Sequence, residues 1–382
     1  MKRYKALTWD HPRGYNALVA AAGLPALAEA GIAIEWDRQP LEGFESHPIA
    51  DLCGRYDLVV LDHPHVGEAV KSACLRPLEE VFGQESVAEL EADSIGPSLA
   101  SYRFGGAHWA LPLDAATQVM ALRADLLAAP VPVTWDEVTR LSKETGKVAL
   151  SLAGPHAILS FLSIAAAFGE PPAEADPDVL VSERMGEKVY ELMLDLAARS
   201  PAAVRDMNPI GILGHMAQHD DVLMCPLIYG YVNYAVPSDG HPIAFHNAPR
   251  AVVGGRPGST LGGTGIGISR RCEVTPALRN HLLWLMSTKA QIGFIPAHDG
   301  QPSRREAWHD PDVNARWNGF YLDTANTLET AYVRPRHDGY IAFQGKASAL
   351  LRQAFETRAA AKDTLSTLQK LYSGYRDTGG ER

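Results

Sequence analysis

Cysteine is scarce in this chain of 382 residues: Cys53, Cys74, Cys225 and Cys272 are scattered, with no CxxC and no metal-ligand spacing. Buried, reduced thiols are the expected state, which fits a reducing compartment. Runs of Lys and Arg are missing too, and the net charge is −10. This argues against nucleic-acid binding, which needs a basic face. No apolar run approaches the ~20 residues of a membrane span. The basic opening MKRYK is followed at Thr8 to Tyr15 by Trp, Asp, His, Pro and Arg, where a secretory signal would carry an apolar stretch of ~7 to 15 residues. As it stands the sequence is expected to be cytoplasmic; a periplasmic or extracellular location would follow if a signal had been removed. The glycine-dense GGRPGSTLGGTGIG at Gly254 to Gly267 lacks both GK[ST] and GxGxxG. A return crossover passing close to a ligand or another strand therefore suits it better than a phosphate loop.

What is present is an ordinary globular composition, 46% hydrophobic and 21% charged, at a length that suggests two domains. The chain is organised around Tyr56 to Gly67, YDLVVLDHPHVG. Leu58 to Leu61 reads as a strand buried on both faces, ending in Asp62, His63, Pro64 and His65. The same pattern occurs at the start: Lys5 to Trp9 is strand-like and runs into Asp10, His11, Pro12 and Arg13. Ligands of open α/β sheets bind at the carboxyl ends of the strands. If the two strands are parallel neighbours, their Asp-His-Pro ends form one pole carrying carboxylates, imidazoles, an indole and a guanidinium.

Strand and helix alternate through the first half. Helix is expected at Tyr15 to Ala30, strand at Ile32 to Trp36, helix at Pro48 to Arg55, and helix again from Val66 to Ala73. Ser94 to Tyr102 reads as helical, Gly105-Gly106 as a hairpin turn, and Ala110 to Asp114 and Thr117 to Arg123 as extended. Thr134 and Glu137 form a capping box for a helix from Trp135 to Thr145. Further on come a strand at Lys147 to Leu152, an apolar helix at His156 to Phe168, an amphipathic one at Glu183 to Arg199, and a short one at Ile210 to Gln218. A strand at Val222 to Ile228 ends in Tyr229, Gly230 and Tyr231. Thr275-Pro276 opens a helix through Thr288; His298 to Trp308 is a polar loop, and Ser348 to Tyr375 is largely helical.

The segments LPLDAATQVMALRADLL with TWDEVTRL, MCPLIYGYVNYA, GGTGIGIS with the Ala277 to Gly293 helix, and DGQPSRREAW, DPDVNARW and YVRPR together resemble family 1 of the extracellular solute-binding proteins of ABC importers. The resemblance implies a two-lobe α/β fold of the periplasmic-binding-protein type (type II), with ligand in an inter-lobe cleft closed by hinge motion. Lobe one would comprise 1–112 with 262–310, and lobe two 113–261 with 311–382. It implies a small polar solute, carbohydrate-like or carboxylate-bearing, held by Trp9, Asp10, His11, Arg13, Asp62, His63, His65, Asp114, Tyr229, Tyr231, Gly263, Thr264 and Arg304. A monomer without cofactor or resident metal is expected, with an ABC permease as partner if the chain is exported. Members of the family are normally exported, and the opening at the first strand departs from that pattern.

The ligand's charge stays open at this level. For a polyol, Asp10, Asp62 and Asp114 would accept hydroxyl hydrogens while Trp9, Tyr229 and Tyr231 stack on the ring. For an acid, Arg13 or Arg304 would clamp the carboxylate. The rival to a binder is an intracellular enzyme on the same scaffold, with His11 or His63 as base and Asp62 or Asp10 orienting it. A metal held by His63 and His65 with Asp62, His11 and Asp10 is the remaining reading; it requires both imidazoles on one face of a strand-like segment.

Overall fold

A computed structural model describes residues 1–379. The chain divides into two units: the first takes Met1–Ala116, Gly262–Arg316 and Arg336–Ile341, the second Thr117–Leu261, Trp317–Pro335 and Ala342–Arg382. Among the described residues, eight strands carry the two larger sheets: β1 (Lys2–Trp9), β2 (Ile32–Gln39), β3 (Leu58–Leu61), β4 (Leu111–Asp114), β5 (Gln118–Leu122), β6 (Met224–Tyr229), β7 (Ala244–His246) and β8 (Thr264–Ile268); a separate two-stranded hairpin pairs Arg103–Phe104 with Ala107–His108.

The first unit is built on a five-stranded sheet in the order β2-β1-β3-β8-β4. β1 pairs in parallel with β2 along its whole length and with β3 at Ala6 opposite Leu58 and Leu7 opposite Val59. β8, the end of the glycine-dense segment, inserts antiparallel between β3 and β4. The carboxyl ends of β1, β3 and β4 and the start of β8 therefore share one edge. All four β3 residues are buried, as a strand covered on both faces should be. Val59 and Leu61, on one face of the strand, sit with Leu7, Leu52, Cys53, Val66, Leu75 and Tyr102 in one core cluster. A Cβ on Gly265 would stand 2.7 Å from the Tyr102 ring, and one on Gly267 would stand 2.9 Å from Leu61. The crossover is glycine-rich because it threads between packed side chains.

The second unit holds an antiparallel sheet, β6-β5-β7. The same unit carries α-helices at Trp135–Thr145, His156–Ala167, Glu183–Arg199, Pro209–Gln218 and Phe320–Glu329, the last of them packed on β5 and β7. Thr134 and Glu137 form both halves of the expected capping box. All twelve residues of His156–Ala167 are buried, in keeping with its apolar circumference. The amphipathic Glu183–Arg199 helix is capped by Ser182 and packs on the final helix, Ala361–Gly379; Tyr190 donates its hydroxyl to the Ala359 carbonyl at 2.8 Å.

Four local expectations differ from what forms. Tyr15 to Ala30 is not one helix: Pro12–Ala22 stops at Gly23, and Pro25 opens a separate Pro25–Glu29. Ser94 to Tyr102 keeps only a 3₁₀ turn at Ala100–Tyr102, because Gly96-Pro97 interrupts it. The strand expected at Lys147 to Leu152 shrinks to a single bridge between Val148 and Met224. Ala149 N–H donates to the Met224 carbonyl at 2.8 Å, and Pro226, two residues further along the facing strand, has no N–H to continue the ladder. Within His298 to Trp308, a short helix begins at Arg305.

Candidate functional site

The sheet edge of the first unit brings Trp9, His11, Arg13, Asp114, Gly263 and Thr264 together, each by a different local device. β1 ends at Trp9, and His11 then adopts extended geometry as the N-cap of Pro12–Ala22, its Nδ1 accepting from Arg13 N–H at 3.2 Å. That bond makes Nε2 the protonated nitrogen of a neutral ring. The imidazole stacks on the Trp9 indole with centroids 5.1 Å apart and planes 7° from parallel. Trp9 is 2% exposed. Its seat depends on Gly14, where a Cβ would lie 2.1 Å from the indole nitrogen.

Arg13 reaches Asp114 at the end of β4 through two bonds, Nε to Oδ2 at 2.7 Å and Nη2 to Oδ1 at 2.6 Å. Both side chains are almost fully buried. Burial pushes the Asp114 carboxyl up, and the guanidinium opposes that shift. Across the ladder from Asp114 stands Thr264, 3% exposed, its hydroxyl without a hydrogen-bond partner among the described residues. Gly263 adopts φ +88 with a would-be Cβ 2.3 Å from the Asp114 carbonyl oxygen, so only glycine can make this turn.

The other candidates are placed differently. Asp10 is exposed and accepts from Arg38 Nη1 at 2.9 Å. Asp62 caps the 3₁₀ turn His63–His65 through a bond from His63 N–H at 2.8 Å. This is a turn rather than a strand, and it carries His63 and His65 inward, to 0% and 2% exposure. His63 meets Tyr102 edge-on at 6.4 Å. The two Asp-His-Pro ends thus sit on neighbouring strands, while Asp10, Asp62 and the two inner histidines each have local partners. Arg304 forms an ion pair with Asp93 at 2.8 Å and lies 3.6 Å from Glu306. Among the described residues no three His, Cys, Asp or Glu side chains are grouped to hold a metal ion.

In the second unit, Tyr229 closes β6 half-buried, its ring 5.8 Å edge-on from His156, and Tyr231 is 4% exposed. The sequence reading missed the hydroxyl network behind them. Ser163 Oγ donates to Gln118 Oε1 at 2.6 Å and lies 2.8 Å from Thr260 Oγ1, while Thr260 donates to the Leu159 carbonyl at 3.0 Å. Gln291 plays a comparable role in the first unit, its Oε1 accepting from Ser303 N–H at 2.7 Å and Arg304 N–H at 3.1 Å. The available signal was polar residues at buried helix positions, Ser160 and Ser163 among aliphatic neighbours.

Buried histidines give the protein an acid-sensitive limb. Burial, reinforced by Arg13, lowers His11 from 6.5 to about 3; burial lowers His156 to about 3, with Arg334 and Arg352 adding to the effect. Burial alone takes His281 to about 4. Below pH 6.5 the unfolded chain binds protons on these rings while the folded chain does not. Stability is therefore expected to fall as pH drops from about 6.5 towards about 4. Urea midpoints of the wild type and His156→Gln at pH 7, 6, 5 and 4 check this. The variant should show the shallower decline, and parallel declines would remove His156 from the account.

A model of the family described as bacterial extracellular solute-binding protein matches residues 29–224. No curated protein matches the sequence. Among solved structures, an ABC transporter solute-binding protein from Agrobacterium radiobacter K84, in complex with ribitol, superposes with a TM-score of 0.80 at 20% identity, covering 98% of both chains. Maltose-bound T. maritima MalE3 gives 0.78 at 16%, covering 98% of this chain and 100% of that one. An Agrobacterium vitis S4 solute-binding protein with bound D-mannitol gives 0.73 at 17%, covering 100% and 99%. The fold is thus of the two-lobe, periplasmic-binding-protein-like α/β class. With its family model spanning 29–224 of 382 residues, the chain belongs to the bacterial extracellular solute-binding protein family.

Proposed function

We propose that the solute is an uncharged polyol or carbohydrate-like molecule, and that the Trp9–Arg13, Asp114 and Gly263-Thr264 edge of the first unit recognises it. The observation that carries this reading is that both arginines named for carboxylate capture are already engaged. Arg13 spends its fork on buried Asp114, and Arg304 is paired with Asp93. A carboxylate ligand would have to break a buried ion pair to use Arg13, leaving Asp114 uncompensated. A hydroxyl needs no such rearrangement, since carboxylate oxygens accept from several donors and the buried Thr264 hydroxyl can both donate and accept. Structures sharing the fold contain ribitol, maltose and D-mannitol.

The enzyme reading loses support at the same residues. A base held at about 3, as His11 is, is mismatched to proton abstraction near neutral pH, and His63 is fully buried. An importer permease is the partner we propose for the loaded protein, since the Agrobacterium neighbours are ABC transporter solute-binding proteins.

Calorimetric titration with ribitol, mannitol, maltose, succinate and citrate tests the ligand class. A polyol or sugar should bind, and Thr264→Val, which keeps the shape and removes the hydroxyl, should weaken it by roughly fivefold to tenfold, the worth of one hydrogen bond. Binding confined to the two carboxylates would overturn the proposal.

A further inference from the structure

The four cysteines are free thiols in this structure, with Cys74 the one that is not fully buried. Two of them belong to one place. Cys53 lies in the helix Ile49–Arg55, and Cys74 ends the turn after the helix Val66–Lys71. That turn is fixed by the Cys74 N–H donating to the Ala69 carbonyl at 3.1 Å, while the Cys74 carbonyl accepts from Arg270 N–H at 2.8 Å. Cys53 is a member of the core cluster beside β3 and Cys74 packs against that same cluster, and each thiol acts on the other's ionisation. Cys53 lies on a helix and Cys74 on the turn after the next one, and no residue of the proposed solute edge belongs to the cluster they share.

We infer that Cys53 and Cys74 are a built dithiol that closes to a disulfide when the protein meets a disulfide oxidant, in keeping with the extracellular habitat of its family. The order of events follows from access. Cys74 is the attacking sulfur because it is reachable, and its thiol is lowered to about 7, mainly by the hydrogen bond from Cys53. The lowered thiol gives up its proton more readily to form the attacking thiolate. The same contact, with burial, raises Cys53, which keeps its proton until the second step. The Cys74 thiolate attacks a sulfur of oxidised glutathione, forming a mixed disulfide and expelling one glutathione thiolate. Cys53 then loses its proton, attacks the Cys74 sulfur and expels the second glutathione. Two protein thiols and one glutathione disulfide become one protein disulfide and two glutathione thiols. Cys225, fully buried and pushed up to about 12, and Cys272, raised likewise to about 12 by burial and Asp57, stay out of the exchange.

The experiment incubates the full chain, purified under reductant and desalted, with oxidised glutathione at pH 7.5. Intact mass, thiol titration in denaturant and a non-reducing peptide map are then recorded. The expected product is lighter by two hydrogen atoms, has two titratable thiols in place of four, and yields a Cys53–Cys74 cross-linked peptide. Cys53→Ser should stop at the mixed disulfide, gaining one glutathione at Cys74, while Cys74→Ser should remain unmodified. Retention of all four thiols, a cross-link involving Cys272, or glutathione trapped on wild-type Cys74 without closure would overturn the inference. Solute binding by the oxidised protein is expected to match that of the reduced protein.

Discussion

Arg13→Met is expected to cost the protein about 3–5 kcal/mol of stability, the usual result of removing one partner from a buried ion pair. The methionine fills most of the space, so lost packing is a minor part of the effect. The main part is Asp114, nearly fully buried and held by two charge-assisted bonds that disappear together. The double replacement Arg13→Met/Asp114→Leu should recover most of the loss, since taking both charges out of an apolar site is often neutral or stabilising. The pH dependence has a definite sign. Burial raises the Asp114 carboxyl, and without Arg13 it rises further. Its folded form then binds more protons than its unfolded form, and the variant's deficit against wild type should narrow between pH 7 and pH 5. Urea unfolding at both pH values measures this. A constant deficit, or a double variant no more stable than the single one, would mean that the pair is not the source of the loss.

That ion pair also marks the limit of what the sequence makes legible. The neighbouring placement of β1 and β3 could be read from two strand-like runs each ending in Asp-His-Pro, and the ladder sets them side by side. Local chemistry was equally readable at Thr134 and Glu137, where the capping box spans three residues. His11 as a helix cap had its signal in Pro12, a residue suited to the first helical position. Arg13 and Asp114, by contrast, are 101 residues apart, and no periodicity links a helix start to the end of β4. The glycine-dense stretch was readable as a crossover, but which glycine meets which side chain depends on the packed sheet.

The histidines show a second limit. His63 and His65 would share a face in a strand, whose side chains alternate. The Asp62 cap and Pro64 instead produce a 3₁₀ turn that sends both inward. A half-turn difference in local backbone thus buries two imidazoles that a strand would have set on one face. Lys147 to Leu152 fails as a strand for a similarly small reason, because Pro226 in the facing strand has no N–H to extend the ladder beyond the Val148 bridge.

Gly258→Ala should be the most damaging single methyl in the second unit. A Cβ there would stand 2.2 Å from the Ser163 carbonyl oxygen and 2.3 Å from the Ala167 N. These are backbone atoms of the fully buried His156–Ala167 helix, so relief requires moving the helix or the crossover itself. Overpacking of a rigid core costs about 1–3 kcal/mol, occasionally more, and the upper end is expected here. The displaced segment also carries Thr260, whose hydroxyl and N–H both bond to Ser163, so satisfied buried polar groups would be lost together with space. Gly345→Ala is the matched control. It lies in the helix Tyr340–Thr357 with nothing within 4 Å of its would-be Cβ, and replacing an exposed helical glycine should stabilise by roughly 0.5–1 kcal/mol. Thermal unfolding of the two variants should therefore shift Tm in opposite directions. A Gly258→Ala protein with wild-type Tm would mean that crossover and helix are not packed as tightly as the 2.2 Å approach requires.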